Sequence, residues 1–414
     1  MKIDALNYIE QILMLKFKLE LSKQQKRLFL EQTIAYTNAI SYILEKNLKD
    51  KSTNVKKLHR LYYKEVREKF NLPAQLAVNV IRETSAIYKT LWAQFKELKR
   101  RKPNSKSVKK FWDKPPKRKS LIAKYTHNRT FSVKPDKLVV SLSTYAGRVK
   151  NIPIKGWNKH YEYLKQGKIS DPILVYDKSS KTFFIYIPIT LKVPQQKPKQ
   201  IVGVDLGERH IFGIASTTEQ KELIDIPDEY KHRKQRYHSL RSELMSKGTR
   251  SAKRKLQKNS RREKRFTENV LHIMAKQLIS KYPNAKFVFE DLTQIRQNRI
   301  TYRGKNKEAR RHAEQWPFAS IISKVIYKNT IQYGIESEKV NPYFTSQTCP
   351  VCGHVDPNNR PNKGEVFTCT NCDYTEHADI VGAINIALRY IVKKQDENLK
   401  GLLVSQPNAP RELT

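Results

Sequence analysis

The sequence predicts a multidomain α/β protein that also contains a β-barrel and a small cysteine ribbon. Three observations carry this prediction: apolar strands that bear acids in the C-terminal half, β-rich stretches around a helical region in the N-terminal half, and two cysteine pairs near the C-terminus. The 414 residues, of which 38% are hydrophobic, suffice for about two to four domains. Disorder is therefore expected only in linkers and tails.

The N-terminal half is predicted to begin with a strand and to continue as helices. Apolar and polar residues alternate over residues 15–21, which is the pattern of a half-buried strand. Ser22 is suited to cap a following helix, and a second helical stretch begins after Pro73 with apolar residues at three- and four-residue spacing. Helices are therefore predicted for about residues 22–98.

A basic loop is predicted for residues 99–119. The segment holds eleven basic residues against one acid, Arg100 and Arg101 among them, and its three prolines prevent a continuous helix. Phe111 and Trp112 would be available there to stack on nucleic-acid bases. A solvated charged loop explains the same composition, and both interpretations stay open.

Strand character returns after the basic loop. Three segments are rich in β-branched and aromatic residues: 138–142, 173–176 and 183–187. The last two flank a turn-forming stretch at 177–180, as the strands of a hairpin would. Together with residues 15–21 they could close one small barrel that the helices interrupt. Prolines and lysines between Val193 and Gln200 indicate a linker, so a new domain is expected near Ile201.

Three acids of the C-terminal half lie within or beside apolar segments. Asp205 lies in an apolar strand before a glycine turn and a partner strand, as the first metal-binding aspartate does in RNase H-like nucleases. Glu290 ends a second apolar strand, at the position where α/β sheets carry their chemistry. Asp379 shares a helical face with Ala383 and Tyr390, so its carboxylate is expected to point toward whatever that helix packs on.

These three acids are the candidate catalytic residues. Hydrolysis of a phosphodiester needs an activated water and a stabilised leaving oxyanion, and two Mg²⁺ ions about 3.5–4 Å apart supply both. Carboxylates are the hard oxygen ligands that Mg²⁺ prefers, so Asp205, Glu290 and Asp379 are predicted to hold the catalytic magnesium. The alternative is three unrelated acids with ordinary caps or ion pairs, and their shared apolar setting in a polycation favours the metal site.

A basic segment runs from Lys247 to Arg265, with ten basic residues against the single acid Glu263. As a helix it would spread positive charge round most of its surface, which suits a helix lying between nucleic-acid strands. The alternative is a solvated helix, although like charges four residues apart destabilise a helix that has no partner. The candidate nucleic-acid contacts in this segment are Lys253, Arg254, Lys258, Arg261 and Arg262.

The four cysteines of the chain form two C-x₂-C pairs, Cys349 with Cys352 and Cys369 with Cys372. The 16 residues between the pairs match the spacing of a four-thiolate ribbon that binds one structural zinc ion. Gly353 and Asn371 tolerate the tight turns that such pairs need. Two disulfides or four buried thiols are the alternatives, and the lack of a secretory signal pattern favours zinc.

The charge of the chain indicates a polyanionic partner. Lys and Arg number 81 against 39 for Asp and Glu, so the formal net charge is +42. Nucleic acid is the partner expected at this charge, rather than a membrane or a small-molecule substrate. The sequence has no run of about 18 apolar residues, and Asp4 and Glu10 do not fit a secretory signal. A prokaryotic cytoplasmic, nucleoid-associated protein is therefore expected.

In the combination of these motifs the chain resembles the TnpB family of transposon-encoded RNA-guided DNA endonucleases, which are related to the compact type V CRISPR effector nucleases. The likeness covers about residues 201–390, and the N-terminal half matches only in layout and length. Val381 stands where members often carry Asn, two residues after the third acid. The motifs that carry the resemblance are Gly-Val-Asp205-Leu-Gly, Phe-Glu290-Asp-Leu, Thr345-Ser-Gln-Thr-Cys-Pro-Val-Cys-Gly353, Cys369-Thr-Asn-Cys372, Ala378-Asp379 and Asn385-Ile386.

The resemblance implies a domain arrangement and makes Asp205, Glu290 and Asp379 metal ligands by motif position. The implied parts are a β-barrel wedge domain at 1–22 and 126–199, a helical recognition domain at 23–125, an RNase H-like (RuvC-type) nuclease domain at 200–345 and 376–395, a zinc-ribbon insertion at 346–375 and a flexible tail at 396–414.

The expected function is RNA-guided cleavage of target DNA beside a short flanking motif, with Mg²⁺ in the nuclease site and one Zn²⁺ in the ribbon. Pairing with a guide RNA would supply the sequence specificity. One alternative is an RNA-guided DNA-binding protein without cleavage, which would be expected to lose acids. The other is a protein-specified transposase with the same carboxylate chemistry, which would need its own sequence-reading module. No helix-turn-helix or C₂H₂ finger is recognisable in the sequence.

Overall fold

The computed structural model describes residues 7–113, 116, 118, 120–207, 210–292, 317–361 and 364–404, with side chains of the last helix described to residue 395. Asp4 and three lysines of the predicted basic loop, Lys114, Lys117 and Lys119, lie outside these residues. The chain forms two compact units, an N-terminal unit of residues 10–192 and a C-terminal unit from residue 193 onward that includes residues up to Ile9. No helix in the described ranges has the length and apolarity needed to span a membrane.

The N-terminal unit is built on an eight-stranded sheet. Seven of its strands follow one another in the order β2-β7-β8-β1-β5-β4-β3, and the eighth strand, β6, pairs with β8. Among the described residues β2 and β3 end this order without pairing, so the predicted barrel is an open half-barrel. The predicted hairpin is confirmed, because β7 and β8 pair antiparallel across the turn at 178–181. The strands are β1 (Tyr8–Leu19), β2 (Ile122–Lys124), β3 (Phe131–Lys134), β4 (Val139–Thr144), β5 (Gly147–Lys155), β6 (Lys168–Ile169), β7 (Ile173–Asp177) and β8 (Thr182–Pro194).

Helices interrupt this sheet between β1 and β2, as the sequence predicts. Ser22 caps the first helix, since its side chain accepts from the Gln25 amide while the Gln25 side chain accepts from the Ser22 amide. Gln32 of the same helix donates to Tyr125 next to β2, which ties the helix to the sheet edge. The helices of the unit are α1 (Lys23–Lys46), α2 (Val55–Phe70), α3 (Ala74–Arg101), α4 (Lys106–Lys109) and α5 (Asn158–Gln166).

The C-terminal unit contains a five-stranded sheet in the order β11-β10-β9-β12-β13. The first three strands are antiparallel, whereas β12 pairs parallel with both β9 and β13. The strands are β9 (Gln200–Asp205), β10 (His210–Ser216), β11 (Lys221–Asp225), β12 (Ala285–Glu290) and β13 (Glu338–Val340). Its helices are α6 (Asp228–Lys247), α7 (Arg250–Lys281), α8 (Phe318–Tyr333) and α9 (Ala378–Val404).

Helices cover both faces of this sheet because apolar residues of its central strands point both ways. Val202 and Phe287 belong to the core shared with α7 and α8. Val288 packs with Ile386 and Tyr390 of α9 on the opposite face. The sheet is therefore the middle of three layers, and the acid-bearing ends of β9 and β12 lie at its edge next to α9.

A small ribbon precedes α9. Its strands β14 (Val366–Thr368) and β15 (Thr375–His377) pair antiparallel and lead directly into the helix. Phe367 and the buried Cys349 and Cys369 form a core with Ala378 and Val381 of α9. The predicted tail at 396–414 begins as a continuation of this helix, which runs to Val404, and residues 405–414 lie outside the described part.

Glycines allow α9 to lie unusually close to the sheet. A Cβ on Gly203 of β9 would stand 2.0 Å from the Ala383 carbonyl oxygen of α9, and a Cβ on Gly213 of β10 would stand 2.5 Å from the Asp379 carbonyl oxygen. Heavy atoms cannot approach that closely without displacement. Any side chain at these two positions would therefore push the first turns of α9 away from the strands.

We predict that Gly203→Ala lowers the free energy of unfolding by about 1–3 kcal/mol, because α9 must move to admit the methyl group. Chemical denaturation followed by far-UV circular dichroism measures this difference. Gly364→Ala is the matched control, since its Cβ would meet only the Pro361 carbonyl oxygen at 3.4 Å. Equal stability of the two variants would contradict the close contact between α9 and β9.

Candidate active site and cysteine cluster

The three predicted acids come together at one edge of the C-terminal sheet. Asp205 ends β9 and Glu290 ends the neighbouring parallel strand β12, one residue beyond the paired Val204 and Phe289. Asp379 lies in the first turn of α9, whose backbone rests on Gly213, the residue paired with Asp205. Three segments that are far apart in sequence therefore bring their carboxylates to one place.

Close backbone packing keeps the carboxylates near each other. A Cβ on Gly382 of α9 would stand 2.7 Å from Asp205 Oδ2, so the helix backbone passes directly beside that carboxylate. A Cβ on Gly207, in the turn after β9, would stand 3.4 Å from Asp379 Oδ2. The absence of side chains at both glycines leaves room for the acids and for what they bind.

The electrostatics of this edge favour a bound cation. Burial, together with the charges of Glu290 and Asp379, raises the pKa of Asp205 well above its usual range. Burial also raises the pKa of Glu290, against the lowering effects of a hydrogen bond from Thr345 and the charge of Arg389. Because these like charges make Asp205 harder to ionise, divalent cations would relieve the repulsion. The oxygen-only donor set fits Mg²⁺ or Mn²⁺.

Three polar residues whose roles were not predicted from the sequence support Glu290 and the loop beside it. The Thr345 hydroxyl donates to Glu290 Oε1, and the Asn385 side chain donates to the carbonyl oxygens of Thr345 and Thr348 at 2.8 and 2.7 Å. Arg389 donates to the Asn341 carbonyl oxygen at 2.8 Å. A sequence signal existed, because Asn385 and Arg389 continue the three- and four-residue spacing that begins at Asp379.

Val381 does not take part in this polar support. It is fully buried and packs against Cys349, Phe367 and Cys369 in the core between the ribbon and α9. The hydrogen bonds of Asn385, four residues further along the helix, support the site instead. An apolar residue at 381 thus serves the ribbon contact without removing a ligand or a hydrogen bond from the acids.

The four cysteines form one cluster whose sulfur atoms all lie within 4.8 Å of one another. The Sγ atoms of Cys349 and Cys372 are 3.6 Å apart, and those of Cys352 and Cys369 are 3.5 Å apart. Disulfides need about 2.05 Å, whereas four sulfurs at about 2.3 Å from a tetrahedral ion stand roughly 3.8 Å apart. The cluster therefore fits zinc and not the disulfide alternative.

Each cysteine pair is held by the same backbone turn. The amide of Gly353 donates to the Cys349 carbonyl oxygen, and the amide of Asp373 donates to that of Cys369, both at 3.0 Å. Gly353 and Asp373 have positive φ angles of 74° and 56°. The tight position of the second turn is therefore Asp373 and not the predicted Asn371, whose amide contacts the Cys369 sulfur at 3.4 Å.

Residues 250–265 of the basic segment form the first half of α7. The candidate contacts Lys253, Arg254, Lys258, Arg261 and Arg262 are exposed there. One side of the helix is not free, however, because α7 packs on α6. The buried Glu263 bonds there to Arg241 and to Lys234, the latter at 2.6 Å. The expectation of positive charge on nearly all sides is thus corrected to an exposed basic face opposite a buried ion-pair cluster.

The N-terminal candidates for nucleic-acid contact divide into two kinds. Arg100 and Arg101 lie in the last turn of α3, exposed and paired with Glu97 of the same helix. Trp112 instead packs within the protein, with ring centroids 5.3 Å from Trp92 and 5.0 Å from Phe111. The rings of Phe111 and Trp112 therefore take part in intramolecular packing, and the stacking of Trp112 on bases stays a prediction.

Family models and curated relatives show which known proteins the chain is similar to. A family model described as a probable transposase matches residues 176–312, and the Cas12f1-like TNB domain matches residues 318–386. A TnpB-like protein of Methanocaldococcus jannaschii is 28% identical over 268 residues, which are 62% of this chain and 91% of the relative. The CRISPR-associated endodeoxyribonuclease Cas12f1 of Sulfoacidibacillus thermotolerans is 35% identical over 111 residues, 27% of this chain but only 24% of that relative.

Solved structures give the class of fold. The Cas12f1 protein of a Cas12f1–sgRNA–target DNA complex superposes with a TM-score of 0.55 at 14% identity, over 92% of this chain and 99% of that chain. The mini-RNA-guided endonuclease CRISPR-Cas phi3 gives 0.50 at 12% identity over 92% of each chain. The protein therefore has a compact type V-like fold. Taken together, the family models and relatives support the resemblance to the TnpB family that the sequence motifs indicate.

We predict that the purified, reduced protein holds about one zinc ion and that Cys349→Ser or Cys372→Ser releases it, since each removes one of four thiolates. Inductively coupled plasma mass spectrometry measures the metal content. Val351→Ser is the control, because this exposed residue lies between Cys349 and Cys352 and offers no sulfur. Zinc near zero in the unmodified protein, or retained in the cysteine variants, would rule out the proposed site.

Proposed function

We propose that the protein is an RNA-guided, metal-dependent DNA endonuclease in which Asp205, Glu290 and Asp379 hold two Mg²⁺ ions. The observation that carries this proposal is the meeting of the three carboxylates at one sheet edge, where burial and mutual repulsion hold the pKa of Asp205 high. Ordinary surface acids are not gathered from three distant segments against a helix backbone. A site of this kind needs cations to be electrostatically balanced.

The chain's own residues would orient the reaction in a defined way. Bound Mg²⁺ would activate a water and stabilise the leaving oxygen of the phosphodiester. Thr345 fixes one oxygen of Glu290, which leaves the second oxygen for an ion. Arg360 lies with Nη2 3.6 Å from Asp379 Oδ1, near enough to attract a phosphate group to the same edge. The glycines at 207 and 382 keep this edge open.

A guide RNA and a target DNA are the proposed partners. The net charge of +42 and the exposed basic face of α7 support nucleic acid as the ligand. The structural relative with a TM-score of 0.55 is itself a complex with a guide RNA and target DNA, and curated relatives are named endodeoxyribonucleases. RNA pairing would supply specificity, while Arg100, Arg101 and the exposed basic residues of α7 would contact the backbones.

The described elements support different roles for different domains. We propose that the C-terminal sheet with α9 is an RNase H-like, RuvC-type nuclease domain at 200–345 and 376–395, interrupted by a zinc-ribbon insertion at 346–375. The half-barrel and the helices of the N-terminal unit would serve as wedge and recognition domains. The protein would act in the prokaryotic cytoplasm, on DNA of the nucleoid.

The second candidate function is transposition chemistry with the same three carboxylates. It is favoured by the family model over residues 176–312, whose description is a probable transposase. A guided DNA binder that does not cut is less well supported, because all three acids are present and Thr345 orients Glu290. The two nuclease hypotheses differ in whether an RNA directs the cut.

We predict that Asp205→Ala, Glu290→Ala and Asp379→Ala each reduce cleavage of matched target DNA by on the order of 1,000-fold, because a lost ligand removes several kcal/mol of transition-state stabilisation. The substrate is a DNA complementary to the RNA that purifies with the protein. Cleavage is followed on denaturing gels, and binding by mobility shift, which should change little because the basic residues are untouched.

Glu336→Ala serves as the matched control, since this exposed acid precedes β13 in the same unit. It is expected to cut at the unmodified rate. Normal cutting by Asp379→Ala would remove that residue from the site, and target binding without any cutting by the unmodified protein would favour the non-cleaving binder.

A further inference from the structure

Two histidines stand beside the third acid and have no role in the proposed carboxylate site. A ring nitrogen of His210, a ring nitrogen of His377 and a carboxylate oxygen of Asp379 all lie within 4.8 Å of one another. His210 begins β10, and His377 ends β15 just before α9. The two rings meet edge to face with centroids 5.2 Å apart. The cluster therefore adds imidazole nitrogens to an edge whose other candidate metal ligands are carboxylate oxygens.

A hydrogen bond to Asp225 fixes the tautomer of His210. Nδ1 of His210 lies 2.5 Å from Oδ1 of Asp225, the residue that opposes His210 in the β10–β11 ladder. An ionised carboxylate can only accept, so the Nδ1 atom carries the hydrogen. Nε2 therefore keeps its lone pair. This carboxylate–histidine arrangement is the one that orients and strengthens histidine ligands of metal ions.

His377 has the opposite tautomer. Its Nδ1 accepts a hydrogen bond from the Asp379 backbone amide at 3.2 Å, so in the neutral ring the hydrogen lies on Nε2. A nitrogen that carries hydrogen cannot bind a metal. The two neighbouring rings thus differ in chemistry: His210 offers a lone pair, and His377 offers a donor.

Asp379 has one oxygen left for a shared ion. Its Oδ1 faces the Arg360 guanidinium at 3.6 Å, while Oδ2 lies on the side of Gly207, where the missing side chain leaves space. The side chains of His210 and Asp379 are 23% and 17% exposed, so an ion from solvent can reach both. The residues are therefore partly buried, oriented and accessible at once.

We infer that His210 is an additional metal ligand, which joins Asp379 through Nε2 in holding one of the ions of the proposed nuclease site. Asp225 is the positioning residue that holds the imidazole in its ligating tautomer. This inference rests on the proposed function for the presence of that ion. Because imidazole suits transition metals whereas Mg²⁺ prefers oxygen alone, the position favours ions such as Mn²⁺ and Co²⁺ over Mg²⁺.

Pulsed EPR of Mn²⁺ bound to the full chain with the RNA that purifies with it tests this inference. Direct imidazole ligation gives a ¹⁴N coupling, which we expect in the unmodified protein and not in His210→Gln. His377→Gln should keep the coupling, as should the control His232→Gln on the exposed side of α6. Asp225→Asn should weaken Mn²⁺ affinity by about 10–100-fold, because the histidine loses its orienting acceptor.

Nitrogen atoms of RNA bases would give a ¹⁴N coupling that persists in every variant. Only the part of the coupling that disappears in His210→Gln therefore supports His210 as a ligand. The inference is overturned if bound Mn²⁺ shows no such part, or if no Mn²⁺ binds. Cleavage in Mg²⁺ and in Mn²⁺, measured on the same preparation, distinguishes failure of this inference from failure of the proposed function. Cutting without a His210-dependent coupling contradicts only the nitrogen ligand, whereas no cutting in either metal contradicts the nuclease function itself.

Discussion

The close contact between α9 and the strands β9 and β10 is the constraint on which the proposed site depends. Gly203 and Gly213 let the helix backbone lie against the sheet, and Gly382 lets Asp205 lie against the helix. With any larger residue at these positions the third acid would stand further from the first two. The geometry of the carboxylates is thus set by backbone packing, and the acids themselves contribute repulsion that opposes it.

The ribbon and the acids share this helix. Val381 anchors the first turn of α9 in the core that surrounds the buried cysteines, while Asn385 holds the loop that carries Thr345, and Thr345 holds Glu290. A zinc ion in the ribbon would therefore stabilise the same structure that orients the carboxylates. The zinc site and the proposed nuclease site are thus connected through α9. Loss of zinc would therefore be expected to disturb the positions of the acids.

Sequence periodicity and spacing predicted those features that local chemistry determines. The Ser22 cap, the β7–β8 hairpin and the cysteine pairs depend on residues that are close in sequence or on fixed ligand spacing. The three acids were singled out by their apolar neighbours in sequence, whereas their meeting depends on the fold. The partners of the acids could not be predicted in the same way. Thr345 meets Glu290 only because β12 and the loop after β13 are neighbours in the folded chain.

Tertiary packing also decides the surroundings of Trp112 and Glu263. The sequence leaves Trp112 open between base stacking and a solvated loop and shows Glu263 as an isolated acid in a basic segment, whereas each has partners elsewhere in the chain.

Whether an RNA directs the cut can be measured in a single experiment. RNA that purifies with the protein is sequenced, and the complex is then offered a pool of DNA in which some members match that RNA. We expect one discrete RNA species and Mg²⁺-dependent cuts confined to matched DNA. Random cellular RNA fragments, or cuts that ignore the match, would contradict RNA guidance.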